Sequence, residues 1–92
     1  MILSKNFSLN EFTKSVSAIR NGIDNEPTKE HIRNIQLLVK FVLQPLREAL
    51  GSPIRITSGY RSESLNKFIK GSKRSQHCRG QASDIQFKVD GV

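Results

Sequence analysis

The sequence predicts a small α+β domain in which N-terminal helices pack on a short antiparallel β-sheet. Apolar residues recur at helical spacing in the first half of the chain, whereas apolar and polar residues alternate near its end. The chain has 92 residues, of which 36% are hydrophobic and 25% charged, and this is the size and composition of one folded domain. We therefore expect a single domain over residues 1–92.

A first short helix is predicted from about residue 8 to residue 19. Ser8 and Glu11 have the spacing of a capping box, in which each side chain accepts a hydrogen bond from the backbone amide of the other residue. Phe7 and Phe12 stand at the positions of a hydrophobic staple across the same helix start. Gly22 can end the segment, because glycine readily adopts the left-handed conformation.

A second, longer helix is predicted from a cap at Thr28 to about Leu50. Its apolar residues recur at helical spacing and predict one buried stripe, which consists of Ile32, Ile35, Leu38, Val39, Val42, Leu46 and Leu50. Pro45 lies inside this pattern and lacks the amide that a helix interior needs. We therefore expect a kink at Pro45, or an end of the regular helix before it.

The second half of the chain predicts two strands on either side of a third helix. Residues 53–57 contain β-branched side chains after a proline and form the first strand candidate. Ser62 can cap the helix that follows. The second strand candidate extends from Asp84 to about Val89, because apolar and polar side chains alternate there.

Positive charge is concentrated in residues 53–80. The formal net charge is +7, and this segment carries seven basic side chains against Glu63 alone. Such a field attracts anionic partners, for which a carboxylate-bearing cell-wall polymer and nucleic acid are candidates. Nucleic acid is the weaker candidate, because aromatic residues are only 7% and no stacking platform is evident. A solvated basic face that aids solubility explains the same charge equally well.

The sequence has no apolar run long enough to cross a bilayer, and its N-terminus lacks the pattern of a secretory signal. We therefore expect no membrane contact and synthesis in the cytoplasm. The single cysteine, Cys78, cannot form an internal disulfide, which fits a reducing compartment. A cysteine of this kind is most often a small buried apolar residue, although it could also bind metal.

Residues 75–84 are the most informative segment, because His77 and Asp84 lie seven positions apart with small residues between them. Small residues let the backbone turn tightly, so that two ligands can approach one ion. An imidazole and a carboxylate are ligands that a catalytic zinc ion uses while it keeps a position for water. By themselves, however, a loop histidine and a strand-start aspartate are the more common explanation. The other histidine, His31, is expected at the surface, and the alternative role for it is that of a third ligand.

Further segments extend the pattern and carry a likeness to a known family. They are residues 54–62, which contain Ser-Gly-Tyr-Arg, the Leu-Asn pair at 65–66, and N-terminal segments at 6–12, 22–27 and 43–47. With the motif at 75–84, they resemble the D-alanyl-D-alanine carboxypeptidase and dipeptidase family of zinc peptidases, and in particular its small phage-endolysin-like branch. The likeness extends from about residue 6 to residue 87.

The resemblance implies a zinc ion bound by His77 and Asp84 and a bacterial peptidoglycan peptide as the substrate. It implies that Arg61 is the catalytic residue that stabilises negative charge developing on the substrate carbonyl. Ser75 would help to bind the substrate. Tyr60 is a second substrate-binding candidate, although a packed aromatic ring explains it equally well. The protein would be made in the bacterial cytoplasm and act at the cell wall.

The sequence departs from the family in its last part. Family members carry a histidine as third zinc ligand, and a catalytic carboxylate, after the strand that begins at the zinc-binding aspartate, whereas this sequence ends at Val92. We therefore expect a C-terminally incomplete domain with little or no peptidase activity of its own. The alternative is a non-catalytic basic module that binds an anionic cell wall or nucleic acid through residues 53–80. The oligomeric state is not predicted.

Overall fold

The computed structural model describes residues 1–72 and 75–87 of the chain. Its elements are, in order, β1 (Ile2–Ser4), β2 (Phe7–Ser8), α1 (Leu9–Thr13), α2 (Val16–Arg20), α3 (Lys29–Leu38), a π-helical turn (Val39–Leu43), α4 (Gln44–Leu50), β3 (Ile54–Ser58), α5 (Glu63–Phe68), a 3₁₀ helix (Gln76–Arg79) and β4 (Asp84–Phe87). The predicted α+β class is confirmed. Within the described residues the strands form two separate antiparallel pairs, β1–β2 and β3–β4, rather than one sheet.

The predicted first helix is divided into α1 and α2. Its start is as predicted, because the Ser8 amide donates to the Glu11 carboxylate at 2.6 Å, and the buried rings of Phe7 and Phe12 lie 6.3 Å apart. A continuous helix to residue 19 is wrong, because Ser15 is extended and starts α2, where its hydroxyl accepts from the Ala18 amide at 3.2 Å. Serine is a good N-cap, and here it competes successfully with helix continuation.

The predicted second helix extends from Lys29 to Leu50 but contains a π-helical turn just before Pro45. Proline cannot donate to the carbonyl four residues earlier, and its ring crowds that carbonyl, so the wider turn accommodates it. The extra residue in the turn rotates the buried face. Val42, predicted to be buried, is 51% exposed, whereas Leu43, absent from the predicted stripe, is buried.

The β3–β4 pair places the start of β4 beside the end of β3. Ile56 pairs with Ile85, and Ser58 pairs with Asp84, so a bulge occurs at Thr57. The Thr57 hydroxyl donates to the Asp84 carbonyl at 3.1 Å and supports this irregular register. Both strands begin within one residue of their predicted starts; the expected continuation of the second strand to Val89 lies outside the described residues.

The core connects these elements. Seven buried residues from the N-terminal segment, the long helix, β3 and the loop after β3 form one cluster, which consists of Phe7, Phe12, Ile35, Val39, Leu43, Ile54 and Tyr60. Ser62 caps α5, as predicted, by accepting from the Leu65 amide at 3.2 Å. In the described ranges, no helix combines the length and the apolar character that crossing a membrane requires.

Candidate active site

The loop that carries His77 is shaped by Ser75 and Gly80. The Ser75 hydroxyl accepts from the His77 amide at 3.3 Å and starts the short 3₁₀ helix. Gly80 ends that helix with a positive φ of 73° and lies against α3, where an added Cβ would be 2.6 Å from the His31 carbonyl oxygen. Only glycine suits both the conformation and the close approach, so the chain turns back here toward β4.

The His77 ring is oriented by Gly59, the residue that directly follows β3. Its Nδ1 lies 2.7 Å from the Gly59 carbonyl oxygen. Because a carbonyl can only accept a hydrogen bond, Nδ1 must carry a proton, so the lone pair of the neutral imidazole is on Nε2. Metal-binding histidines are commonly held in this way by a hydrogen bond from the other ring nitrogen to a carbonyl or carboxylate.

The lone-pair nitrogen faces the predicted second ligand. His77 Nε2 lies 3.8 Å from Asp84 Oδ2, and the side chains are 14% and 69% exposed, respectively. Zinc binds nitrogen and carboxylate oxygen at about 2.0–2.2 Å, so one ion can reach both atoms. The donor set therefore fits zinc at two positions. Residues 1–72 and 75–87 contain no group of three or more His, Cys, Asp or Glu that could hold a metal ion, and the role of these two ligands stays a prediction.

Arg61 is tied to the same loop through two contacts. Its Nη2 donates to the Ser75 hydroxyl at 3.0 Å, and its amide donates to the His77 carbonyl at 3.1 Å. Its Nε is buried and has no hydrogen-bond partner within the described residues. Arg61, Ser75, His77 and Asp84 are therefore brought together, as the motif predicts.

Tyr60 is packed rather than open to the site. It is only 5% exposed, and its hydroxyl lies 3.1 Å from His31 Nδ1. Burial raises the pKa of the Tyr60 phenol, and the acidic groups of Cys78, Glu63 and Asp24 add smaller effects in the same direction. The packing alternative is therefore observed, and a substrate contact by Tyr60 stays a prediction. His31 is half-buried against this ring, so it is less exposed than a residue that lies freely at the surface.

Cys78 is half-buried beside the site. Burial raises the pKa of its thiol, the nearby Arg61 opposes this shift, and Glu63 adds to it. A raised pKa disfavours the thiolate, which is the form that binds metals and acts as a nucleophile. The partial burial and the raised pKa of Cys78 therefore agree with a packing role for this residue.

Asn25 is a positioning residue that the sequence did not indicate. Its Nδ2 donates to the carbonyls of Thr13 (2.9 Å) and Tyr60 (3.1 Å), and its Oδ1 accepts from the Ser62 amide at 2.7 Å. It thus holds the backbone on both sides of Arg61. The turn around Asn25 belongs to the segments that carry the family likeness, but partners 35 and 37 positions away leave no local signal.

An imidazole and a carboxylate that converge beside a guanidinium define a candidate hydrolytic metal centre on a small α+β domain. The family described as Peptidase M15 has a sequence model that matches residues 5–91. The chain belongs to the peptidase M15 family, as its motifs predicted, and peptidases of this family are generally zinc-dependent. No curated protein and no solved structure matches the chain.

Proposed function

We propose that this chain belongs to a zinc-dependent peptidase, of carboxypeptidase or endolysin type, that hydrolyses peptide bonds of bacterial peptidoglycan at the cell wall. The observation that supports it most is the 3.8 Å approach of His77 Nε2 to Asp84 Oδ2 in a member of a peptidase family. The single orientation that Gly59 imposes on the imidazole adds to this support, since a preformed donor needs little ordering when the ion binds.

Four residues of the chain would have distinct roles in this reaction. His77 and Asp84 would hold zinc, which in such sites lowers the pKa of bound water and polarises the scissile carbonyl. Arg61 would place a positive charge beside the substrate carbonyl and stabilise the negative charge that develops there during hydrolysis. Ser75 fixes both partners, because one hydroxyl contacts the Arg61 guanidinium and the His77 amide.

A catalytic zinc site usually has three protein ligands and a water molecule, and it needs a general base. Within the described residues two ligands converge. The third ligand and the general base would therefore come from outside residues 1–72 and 75–87. We expect the 92-residue chain to bind zinc weakly and to hydrolyse peptides slowly on its own.

Zinc binding by variants of the full chain tests the proposal. In competition with a fluorescent zinc chelator, His77→Ala and Asp84→Asn should each weaken binding at least tenfold, because each removes a ligand. His31→Gln is the matched control, since it removes the other histidine and should leave zinc affinity unchanged. Equal affinities of His77→Ala and His31→Gln would remove the main support for a metallopeptidase.

Hydrolysis is measured separately with purified peptidoglycan fragments and mass spectrometry. Any zinc-dependent cleavage by the full chain should be lost in Arg61→Gln while zinc affinity is kept. Cleavage that persists unchanged in Arg61→Gln would contradict the role proposed for the guanidinium.

A further inference from the structure

A cleft of about 620 Å³ is lined in part by Arg61, whereas His77 and Asp84 are not among its lining residues. It is lined by β3 and the residues that follow it as far as Arg61, by the end of α1 and the start of α2, and by part of α5. The cleft therefore leads directly to the guanidinium that hydrogen-bonds to Ser75, next to His77.

The wall formed by β3 is a strand edge. Residues 55–58 all line the cleft, although successive side chains of a strand point to opposite faces. Consecutive residues can line one space in this way when the space lies along the edge of the strand. In the described part of the chain β3 pairs with β4 alone, so alternate backbone N–H and C=O groups on its other edge have no strand partner there.

The cleft is positively charged. Lys14, Arg55 and Arg61 line it, and Glu11 is the one acidic residue among its lining residues in the described ranges. The Glu11 carboxylate already accepts from the Ser8 amide at 2.6 Å. Lys14 and Arg55 are exposed, and neither forms an ion pair within the described residues, so both are available to a carboxylate ligand.

We propose that this cleft binds an extended peptide with carboxylate side groups, which pairs as an additional strand with the outer edge of β3. Backbone hydrogen bonds to β3 would supply affinity, and Lys14 and Arg55 would select acidic peptides. The five residues of β3 span roughly 16 Å, which matches a peptide of about five residues. One part of this inference rests on the proposed function, namely that the scissile bond of the bound peptide lies at Arg61.

Fluorescence anisotropy with the full 92-residue chain tests strand pairing directly. The probe is a fluorescein-labelled Ala-Glu-Ala-Glu-Ala peptide, measured with a chelator present so that zinc plays no part. Methylation of alternate peptide amides should weaken binding at least about tenfold, because it removes backbone hydrogen bonds to β3 and the methyl groups also obstruct the edge. Equal binding of the methylated and unmethylated peptides would overturn the proposal.

Charge selection is tested with matched variants. Arg55→Gln and Lys14→Gln should each weaken binding about two- to five-fold, as expected for exposed ion pairs. Arg33→Gln and Lys29→Gln remove exposed cations of α3 that lie outside the cleft, and should leave binding unchanged. Equal losses in the two groups would show a general charge effect and overturn the proposal, as would equal affinity for the peptide with Gln in place of Glu.

A binding map on the unmodified chain keeps the proposal testable even where a variant fails to fold. Amide NMR shifts on peptide addition should concentrate in residues 14–17 and 54–61. Shifts centred on α3 instead, or a dimer that pairs through β3 and excludes the peptide, would overturn it. His77→Ala should lose zinc but bind the peptide normally with chelator present, so failure of the zinc proposal and failure of the peptide proposal are distinguishable.

Discussion

Replacing Gly59 by alanine tests how the fold and the candidate site depend on each other. An added Cβ would lie 2.6 Å from the Phe12 carbonyl oxygen and 2.7 Å from the Phe12 Cα. Both are backbone atoms of α1, so they cannot move aside as the end of a flexible side chain would. The same contact carries the hydrogen bond from the Tyr60 amide to the Phe12 carbonyl, at 2.7 Å.

The expected cost follows from these two effects. Overpacking costs about 1–3 kcal/mol, and weakening the Tyr60–Phe12 hydrogen bond adds about 1 kcal/mol. We therefore expect Gly59→Ala to lower the free energy of unfolding by about 2–4 kcal/mol. Because the Gly59 carbonyl also orients His77, zinc affinity should fall about 10–100-fold, as it does when a group that orients a ligand is disturbed.

Urea denaturation followed by circular dichroism measures the loss of stability, and chelator competition measures zinc affinity under conditions where the variant is folded. Gly22→Ala is the control: Gly22 has a φ of 62° and no neighbouring atom within 4 Å, so its cost is backbone strain of about 1 kcal/mol and zinc binding should be unchanged. Should Gly59→Ala cost no more than Gly22→Ala and bind zinc as tightly as the parent chain, the reasoning is refuted.

Three other comparisons, made with five variants, give contrasting expectations. In urea denaturation, Asn25→Asp should lower the free energy of unfolding by about 2–4 kcal/mol, because two hydrogen bonds are lost and a carboxylate oxygen then faces two carbonyl oxygens. The control Asn21→Asp changes an exposed hydrogen bond to a nearby carbonyl, and should lower it by less than about 1 kcal/mol. Val39→Ala should lower the free energy of unfolding by about 2 kcal/mol and Val42→Ala by less than about 0.5 kcal/mol, because Val39 is buried and Val42 exposed. Comparable losses would contradict the rotation of the buried helix face at the π-helical turn. Because the pKa of Tyr60 is raised in the folded state, the protonated phenol favours folding, and the stability of the parent chain should fall as pH rises above 10.0. The stability of Tyr60→Phe should fall less over the same range. Identical pH profiles of the two proteins in thermal denaturation would contradict the burial of Tyr60.

Features set by neighbouring residues could be predicted from the sequence. Thr28 and Ser62 each cap a helix by accepting from an amide three residues later, and the Glu11 carboxylate accepts from the Ser8 amide at the same spacing, which is visible in the sequence. The His77–Asp84 pair was also accessible, because the glycine and small residues between these positions indicate a tight return of the chain. Their distance of 3.8 Å, however, depends on the bulged register of β3 against β4, which no local pattern specifies.

Features set by distant contacts could not be predicted. The β1–β2 hairpin has little alternation, and Gln44 on the long helix supports it by bonding Ser4 and Asn6. The buried position of Leu43 depends on the π-helical turn, which is a response of the helix to Pro45 within a packed core. The local pattern correctly placed an irregularity near Pro45, but the choice between a kink, an end and a wider turn depends on the packing around it.

The π-helical turn at Val39–Leu43 has a consequence for comparing this chain with its relatives. One residue rotates an α-helix by about 100°, so the segments before and after the turn meet the interior in different phases. A homologue that lacks one residue at this point could keep both segments in place with a regular helix throughout. Pairwise alignments with such a homologue should therefore permit a single-residue gap at this turn. An alignment without the gap would match buried positions to exposed ones over the whole of α4.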